Sequence, residues 1–480
     1  MSFNVSAGVY TREINQSHIV AASGNSVGAI VIESNKGPED ERILVTNNKQ
    51  FIDTFGEPSN VSMRCALAFL EKASQLYVVR KTNDAATSTV NVVDAVAGTT
   101  FVINALGGGV YGDDIDFAIA LTGDAEIFLL TILYLGVEVE SFNISKIVGK
   151  VDGFGRSAYL HDAVNGNSNY ISVVDTTANA LVPAVISATT LAGGTDDTAA
   201  PAANTVIAGY ELFDIRDQIE VSLLINAGWE DISIKNQLVT TAELRKDCIA
   251  IIDTSVGDSV AEMITESGTV SPNSNYAAMY GPWLNVYDQY SDSFNVTAPS
   301  GHVAGVYAQT ALNGEVWEAP AGSRRGSLNV AGVELTFTEG ERDALYAGKV
   351  NPIQQFFGEG IQVYGQRTMT DTDSALNRVN VRMLMIEISK TLQSALKPFV
   401  FEINDTFLRD NITSIITNYL EDIRVRRGVY DYSAVCDTTN NTPQVIDQNK
   451  LIVDVYVKPS RVAEFIRVNA IVSATGVSFT

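Results

Sequence analysis

Residues 221–253 read VSLLINAGWEDISIKNQLVTTAELRKDCIAIID. Two short apolar runs, Val221–Asn226 and Cys248–Asp253, flank a mixed stretch, Asp231–Lys246, long enough for a helix. Runs of this length, rich in Val, Ile and Leu, read as strands buried on both faces. Strand, helix and strand in succession predict a mixed or parallel sheet. Working towards the N-terminus, a further helix is expected near Tyr210–Glu220. VGAIVIE (27–33) is another buried-strand run, which Gly37-Pro38 breaks. Asn47-Asn48 can cap a short helix through Phe51 and Phe55, and Gly56 can end it. A second helix, about Ser62–Ala73, precedes the strand Leu76–Val79. Residues 21–83 and 201–365 are therefore read as two parts of one α/β core.

The stretch between them has another character. Thr, Val, Gly, Asn and Asp dominate residues 84–200. Short alternating segments such as Thr89–Val93 and Phe101–Asn104 are separated by Gly107-Gly108-Gly109 and by turns such as Asn165-Gly166. This is β-rich composition. We read 84–200 as an inserted β-rich domain that ends at Leu191-Ala192-Gly193-Gly194-Thr195, with TDDTAAPAAN after it as a linker.

Residues 366–467 read as an α+β domain. Asp371 and Asp373 are expected to open a helix of about 24 residues that Pro398 closes, with Leu376, Val379, Met383 and Ile386 at helical spacing. Asn404 or Asp405 caps the next helix, whose apolar stripe is Leu408, Ile412, Ile415, Tyr419 and Ile423, and Gly428 ends it. In LIVDVYVKP (451–459), Leu451, Val453, Val455 and Val457 share one face of a strand that Pro459 stops. Residues 1–20 and 468–480 are polar or alternating end segments. They either pair within the chain or complete another molecule's sheet; the residues alone leave both open.

Composition narrows the function. The chain has 480 residues, 46% hydrophobic and 18% charged, enough for two to four domains with sizeable cores. No apolar run is long enough to span a membrane. The opening MSFNVSAGVYTREINQ has neither a basic start nor an apolar stretch, so no secretory signal is expected. Cys65, Cys248 and Cys436 are isolated and read as buried reduced thiols. A net charge of −24 disfavours nucleic acid and anionic lipid as partners. That charge is uneven: 366–480 holds 13 basic and 13 acidic residues, whereas 84–200 holds 3 basic and 14 acidic.

Chemistry finds little to use. His18, His161 and His302 lack cysteine or carboxylate companions at catalytic or metal-binding spacing, and His302 reads as a capping or packing residue. Gly107–Gly112 and Gly340–Lys349 fit no phosphate-loop spacing. Asp113, Asp114 and Asp116 read as a solvated turn rather than a calcium loop. Ser323-Arg324-Arg325 and Arg424-Val425-Arg426-Arg427 are basic patches; the latter suits a helix C-terminus or an acidic partner. No cofactor, metal or catalytic residue is assigned.

Several segments, taken in order, resemble the contractile tail sheath proteins of myovirus-like phages and of phage-tail-like bacteriocins. They are Ala7–Glu13, Gly37-Pro38, Phe55–Pro58, Tyr77–Arg80 and Leu191–Gly194, then Tyr280-Gly281-Pro282-Trp283, Pro299–Ala308, Trp317–Gly322 and Tyr364–Thr368. The C-terminal part adds Val379–Arg382, Phe401–Asp405, Cys436–Pro443 and Ala463–Ile466. Ala7 stands where the family usually has Pro, and Tyr364 and Gln366 where it has Trp and Ala.

The resemblance implies a structural subunit rather than an enzyme. Such subunits stack as six-membered rings, wound helically around an inner tail tube, and contract to drive the tube through a cell envelope during DNA ejection. It implies linking strands at Val9, Tyr10, Thr11, Arg12, Glu13 and Ile14, and at Val468, Ala470, Ile471, Val472, Val477 and Phe479. The acceptor is the C-terminal sheet with Leu451, Val453, Val455 and Val457. The C-terminal domain would face the tube, with Arg424, Arg426 and Arg427 as contacts, and 84–200 would point outward. Implied partners are further copies of the chain, the tube protein, and baseplate and tail terminator proteins. The expected location is the virion tail, assembled in the host cytoplasm. A bacteriocin-type or secretion-type sheath is the nearer alternative, and an α/β enzyme the distant one.

Overall fold

The computed structural model describes residues 26–94, 98–176, 182–270 and 273–468. They fall into two compact units, 26–386 with 462–468, and 387–461. We describe each by itself.

The first unit begins with β1 (Gly28–Ile32), every residue of which is buried. Strand β2 (Arg42–Val45) leads to α1 (Asn48–Phe55), where the Gln50 amide donates to the Asn47 side chain, and Gly56 at φ 86° ends the helix. Helix α2 (Val61–Leu70) follows, capped by Asn60, and then β3 (Leu76–Arg80). The chain next leaves this sheet. It builds β4 (Thr87–Val93), β5 (Thr99–Gly108), β6 (Ile115–Leu121), β7 (Phe128–Tyr134), β8 (Val137–Ile144), the short α3 (Leu160–Val164), β9 (Ile171–Asp175) and β10 (Ile186–Thr190). These make a β4-β5-β9 sheet and a β10-β6-β7-β8 sheet. Phe101, Ile103, Phe117, Leu130, Ile132 and Leu160 lie in a separate buried cluster between them.

The chain returns through α4 (Ala203–Glu211), β11 (Leu223–Ile225), α5 (Ile232–Arg245), β12 (Ile249–Asp253), α6 (Val260–Thr269) and β13 (Ala277–Gly281). After β14 (Leu284–Asp288), β15 (Ser293–Thr297), α7 (Ser300–Asn313), β16 (Ser327–Leu328), β17 (Gly332–Val333) and α8 (Glu339–Ala347) come β18 (Val350–Phe356) and β19 (Gly360–Val363). The main sheet has nine strands in the order β16-β19-β18-β13-β12-β11-β1-β3-β2. Its centre, from β18 to β3, is parallel, with β2 and β19 antiparallel towards its edges. One face packs on α2 and α7 through Phe69, Val303 and Tyr307; the other packs on α4, α5, α6 and α8 through Tyr210, Leu238, Met263 and Leu345. Coverage of both faces is why these strands are unbroken apolar runs. The α2–α7 contact is close: a Cβ on Gly301 would stand 2.2 Å from the Cys65 carbonyl oxygen.

The unit boundary falls within α9 (Val379–Leu396). The second unit continues with α10 (Thr406–Val425), β20 (Val429–Val435), α11 (Pro443–Asp447) and β21 (Asp454–Pro459). Helix α10 buries Leu408, Ile412, Ile416, Leu420 and Ile423.

Four local expectations change. The helix expected near Tyr210–Glu220 is α4, which starts within the supposed linker. Its buried Val206, Gly209 and Tyr210 form the stripe, and the charged residues after Glu211 run through turns. The helix expected from Asp371 starts at Val379, because Arg378 is extended (φ −122°, ψ 134°) to pair with Arg367. Asn165-Gly166 follows α3 instead of joining two strands. On α10, Ile415 and Tyr419 are only half-buried, while Ile416 and Leu420 face the core.

Candidate functional site

The second unit presents a two-stranded antiparallel sheet, β20 with β21, registered Tyr432↔Val457 and Ala434↔Val455. Among the described residues each strand pairs only with the other, so each has an outer edge that no further strand covers. A slip in register between Val429 and Asp431 leaves Tyr430 bulged and 65% exposed. Of the face Leu451, Val453, Val455 and Val457, the last two lie in β21 and the first two in the chain before it; all four are half-buried, while Ile452, Tyr456 and Lys458 on the alternate positions are exposed.

Two asparagines secure the sheet at its far end. Asn441 donates to the Ile452 carbonyl (2.8 Å) and accepts from the Ile452 amide (2.7 Å). Asn440 Nδ2 donates to the Val435 carbonyl (2.7 Å) and to Asp454 (3.0 Å). At the other end, Lys458 pairs with Asp431 across the strands at 2.9 Å. Tyr432 donates to Glu421 on α10 at 3.0 Å. Burial pushes the Cys436 thiol up, so it stays a thiol at neutral pH. The same unit exposes Val400, Phe401, Ile403 and Phe407, all at least 60% accessible, within eight residues. Exposed apolar side chains clustered like this mark contact surfaces.

The basic patch closes α10. Arg424 makes a two-pronged pair with Glu421 (2.7 and 2.9 Å), and Arg426 pairs with Asp422 (2.6 Å). The Arg424 and Tyr432 hydrogen bonds hold the Glu421 carboxyl below its usual range. Arg427 takes the left-handed position (φ 67°), its amide bonding the Arg424 carbonyl while Gly428 bonds that of Ile423. That is the Schellman arrangement, with arginine where glycine is usual. All three arginines are exposed.

Val9–Ile14, Ala470, Ile471, Val472, Val477 and Phe479 lie outside the described residues. Val468 is 83% exposed in a stretch without strand structure.

Segments quoted separately in the sequence meet in the fold. Tyr280 and Tyr307 share a buried hydroxyl–hydroxyl bond of 2.6 Å. Trp283 Nε1 donates to the Thr254 carbonyl at 2.6 Å, and Asn380 Nδ2 to the Trp317 carbonyl at 3.3 Å. Glu464 accepts from Gln366 (2.9 Å) and Arg378 (2.7 Å). His302 is buried, and burial pushes its imidazole down to about 4, so it is neutral. The acidic knot is structural: Asp113 accepts from Ser88 (2.7 Å) and the Gly194 amide (3.0 Å), and Asp116 from Thr190 (2.6 Å).

Sequence reasoning missed Asp253. It is fully buried at the end of β12 and accepts from the Ser300 amide that opens α7 (2.6 Å), from the Gly228 amide (3.0 Å) and from Asn226 Nδ2 (3.1 Å). Its own side chain thus fills the helix N-terminus, where open α/β sheets commonly receive ligands. The signal available was one carboxylate ending an otherwise apolar run, CIAIID. Among the described residues, no group of three or more His, Cys, Asp or Glu is placed to hold a metal ion.

Two family models match the chain: the phage tail sheath protein central domain over residues 212–369, and the phage tail sheath C-terminal domain over 371–473. The tail sheath protein of Enterobacteria phage T4 is 30% identical over 365 residues, covering 71% of this chain and 55% of that protein. The tail sheath protein of Vibrio phage KVP40 is 31% identical over 373 residues, covering 71% and 54%. The chain thus spans about half the length of the curated relatives it matches. Among solved structures, a sheath tail protein from Listeria innocua superposes with a TM-score of 0.63 at 14% identity, over 92% of this chain and 93% of that one. The sheath of an extracellular contractile injection system, PVC, in its contracted state, gives 0.59 at 17% identity over 98% of each chain. At these identities the structures attest the fold. Family models, relatives and fold agree: the chain belongs to the phage tail sheath protein family.

Proposed function

We propose that the chain is the sheath subunit of a contractile phage tail, polymerising as helically stacked six-membered rings around an inner tube. The observation that carries this reading is the β20–β21 sheet, whose two outer edges are unpaired among the described residues in a unit rich in exposed apolar side chains. Two strands are marginal alone; strands added at both edges would make a stable four-stranded sheet. We assign the added strands to Val9–Ile14 and Val468–Phe479 of neighbouring copies. The 84–200 region, with its own core and acidic excess, is assigned the outer surface, and Arg424–Arg427 the tube side.

Contraction on this reading uses no nucleotide. It draws on the free-energy difference between two rigid-body packings of the subunits, released from the baseplate, while the strand linkages persist. The shortening drives the tube through the envelope for DNA ejection. The assembly reading is tested by deleting residues 1–15 or 471–480 and examining the protein by electron microscopy. Folded protein without ordered tubes is expected; normal helical tubes from either deletion would overturn the linking role. Particles lacking packaged DNA would move the assignment to a bacteriocin-type or secretion-type sheath, the fold shared with the PVC structure.

A further inference from the structure

The chain passes back from the second unit to the first at residue 462. Of residues 461–468 all but Glu464 are exposed, with Phe465, Ile466 and Val468 each more than 80% accessible. The Glu464 side chain is 17% exposed and sits in a socket of the first unit. One carboxylate oxygen accepts from Arg378 Nε (2.7 Å) and Gln366 Nε2 (2.9 Å). Arg378 is fixed in turn, donating to Asn377 Oδ1 (3.0 Å) and lying over the Tyr346 ring, 5.7 Å from its centroid. Arg367 lies over the same ring and donates to the Tyr346 carbonyl at 2.8 Å. The backbone behind is also tied: the Val379 amide donates to the Gln366 carbonyl at 2.8 Å, and Arg367 bridges Arg378. Burial pushes the Tyr346 hydroxyl up, and the charge of Glu464 beside it pushes the same way.

We propose that this socket is a mechanical anchor: Glu464 pins the base of the C-terminal segment to the α/β core, so that tension on residues beyond 468 enters the first unit at Glu464 rather than pulling on the β20–β21 sheet. The proposal rests on the reading of 468–480 as a strand given to a neighbour. A charge-assisted bond from a preorganised guanidinium, screened from solvent, suits that duty better than apolar contact, because it resists sliding in every direction. Without it the pull would reach β21 end-on, and a two-stranded ladder offers little resistance.

The test separates the anchor from the sheath reading. In the full-length soluble protein, limited trypsin digestion read by mass spectrometry follows cleavage after Arg461 and Arg467, which bracket Glu464. Glu464→Ala and Arg378→Ala are each expected to speed both cuts by on the order of tenfold. The double variant should be no faster than either single one. Glu464→Gln, which keeps the shape and loses the charge, should fall between and serves if the alanine variant does not fold. Wild-type cleavage rates in these variants would overturn the anchor. Assembled tubes are then sheared for a fixed time and measured by electron microscopy: Glu464→Ala tubes should break several-fold shorter. Unchanged lengths with raised cleavage would overturn the mechanical role. Intact tubes after deletion of 471–480 would instead overturn the linking-strand reading, leaving the cleavage result standing.

Discussion

Asp258 shows what a single residue contributes beyond its contacts. It lies between β12 and α6, beside a buried group in which Lys235 Nζ donates to Glu266 (2.5 Å) and Glu266 also accepts from the Ser255 amide (3.0 Å). Burial first, and then the charges of Glu266 and Glu262, push the Asp258 carboxyl up to about 6; Lys235 opposes them. The folded protein therefore holds this proton more tightly than the unfolded chain between about pH 4 and 6. Stability from this group is present below pH 4 and lost as pH rises through 6. Asp258→Asn should melt roughly 1–3 °C above wild type at pH 7 and converge on it at pH 4. An offset equal at both pH values would rule out the coupling. Such a site is hard to read in sequence. Asp258 looks like any loop carboxylate, and what perturbs it are burial, Glu262 and Glu266 on the helix that follows, and Lys235 on another helix. Glu464 and Asp253 escaped for the same reason: their partners lie far away in the chain, joined only by the fold.

Elements were legible where one physical signal dominated. VGAIVIE and CIAIID read as strands because burial on both faces leaves each an apolar run with a single polar residue at its end. α1 read correctly from its Asn cap and closing glycine, both local signals. α9 did not, because Arg378, bridged to Arg367, is extended and delays the helix to Val379. The C-terminus of α10 was legible as a basic helix end, but its Schellman turn, with Arg427 left-handed, was not, since glycine was the expected residue there. That turn matters for the proposed tube contact. Arg424 and Arg426 are already paired with α10 carboxylates, so a partner acid would add to existing pairs and meet Arg427. Reversing all three to Glu should leave the fold intact, because exposed i,i+3 and i,i+4 pairs contribute little to stability. Co-assembly with the tube protein should fall and become less sensitive to salt. Unchanged co-sedimentation with tubes would remove these residues from the tube face.

At the scale of the whole molecule, the two chain crossings between the core and the 84–200 region form a waist where they are tied to each other. Asp197 accepts from the amides of Asn83, Asp84 and Ala85 (2.7–2.9 Å), and Asp84 accepts from the Thr198 amide and hydroxyl (2.9 and 2.6 Å). Just beyond, Ala86 and Thr195 form an antiparallel bridge, so the outgoing and returning chains lie side by side. The composition changes at 84 and again near 200, but nothing in the sequence points to the reciprocal Asp84–Asp197 tie, because it joins residues more than a hundred apart. Further contacts cross here: the Gly108 amide donates to Glu39, Lys36 lies over the Tyr134 ring, and a buried cation reaches over. Arg80 is fully buried and donates to the carbonyls of Ser34 (2.7 Å), Gly37 (2.6 Å) and, across the waist, Gly108 (2.5 Å). Excising 86–195 and joining the ends with a short Gly-Ser link keeps the Asp84–Asp197 tie and two of those three acceptors. It exposes the third guanidinium nitrogen to water, which can replace the lost carbonyl. We expect the shortened protein to unfold cooperatively, at a cost of about 1–3 kcal/mol, measured by denaturant titration. If the region is the outer surface of the sheath, the same protein should still form tubes, thinner by electron microscopy. Aggregation or non-cooperative unfolding would show that 84–200 is part of the core's own folding unit, and folded protein without tubes would place it in the subunit contacts instead.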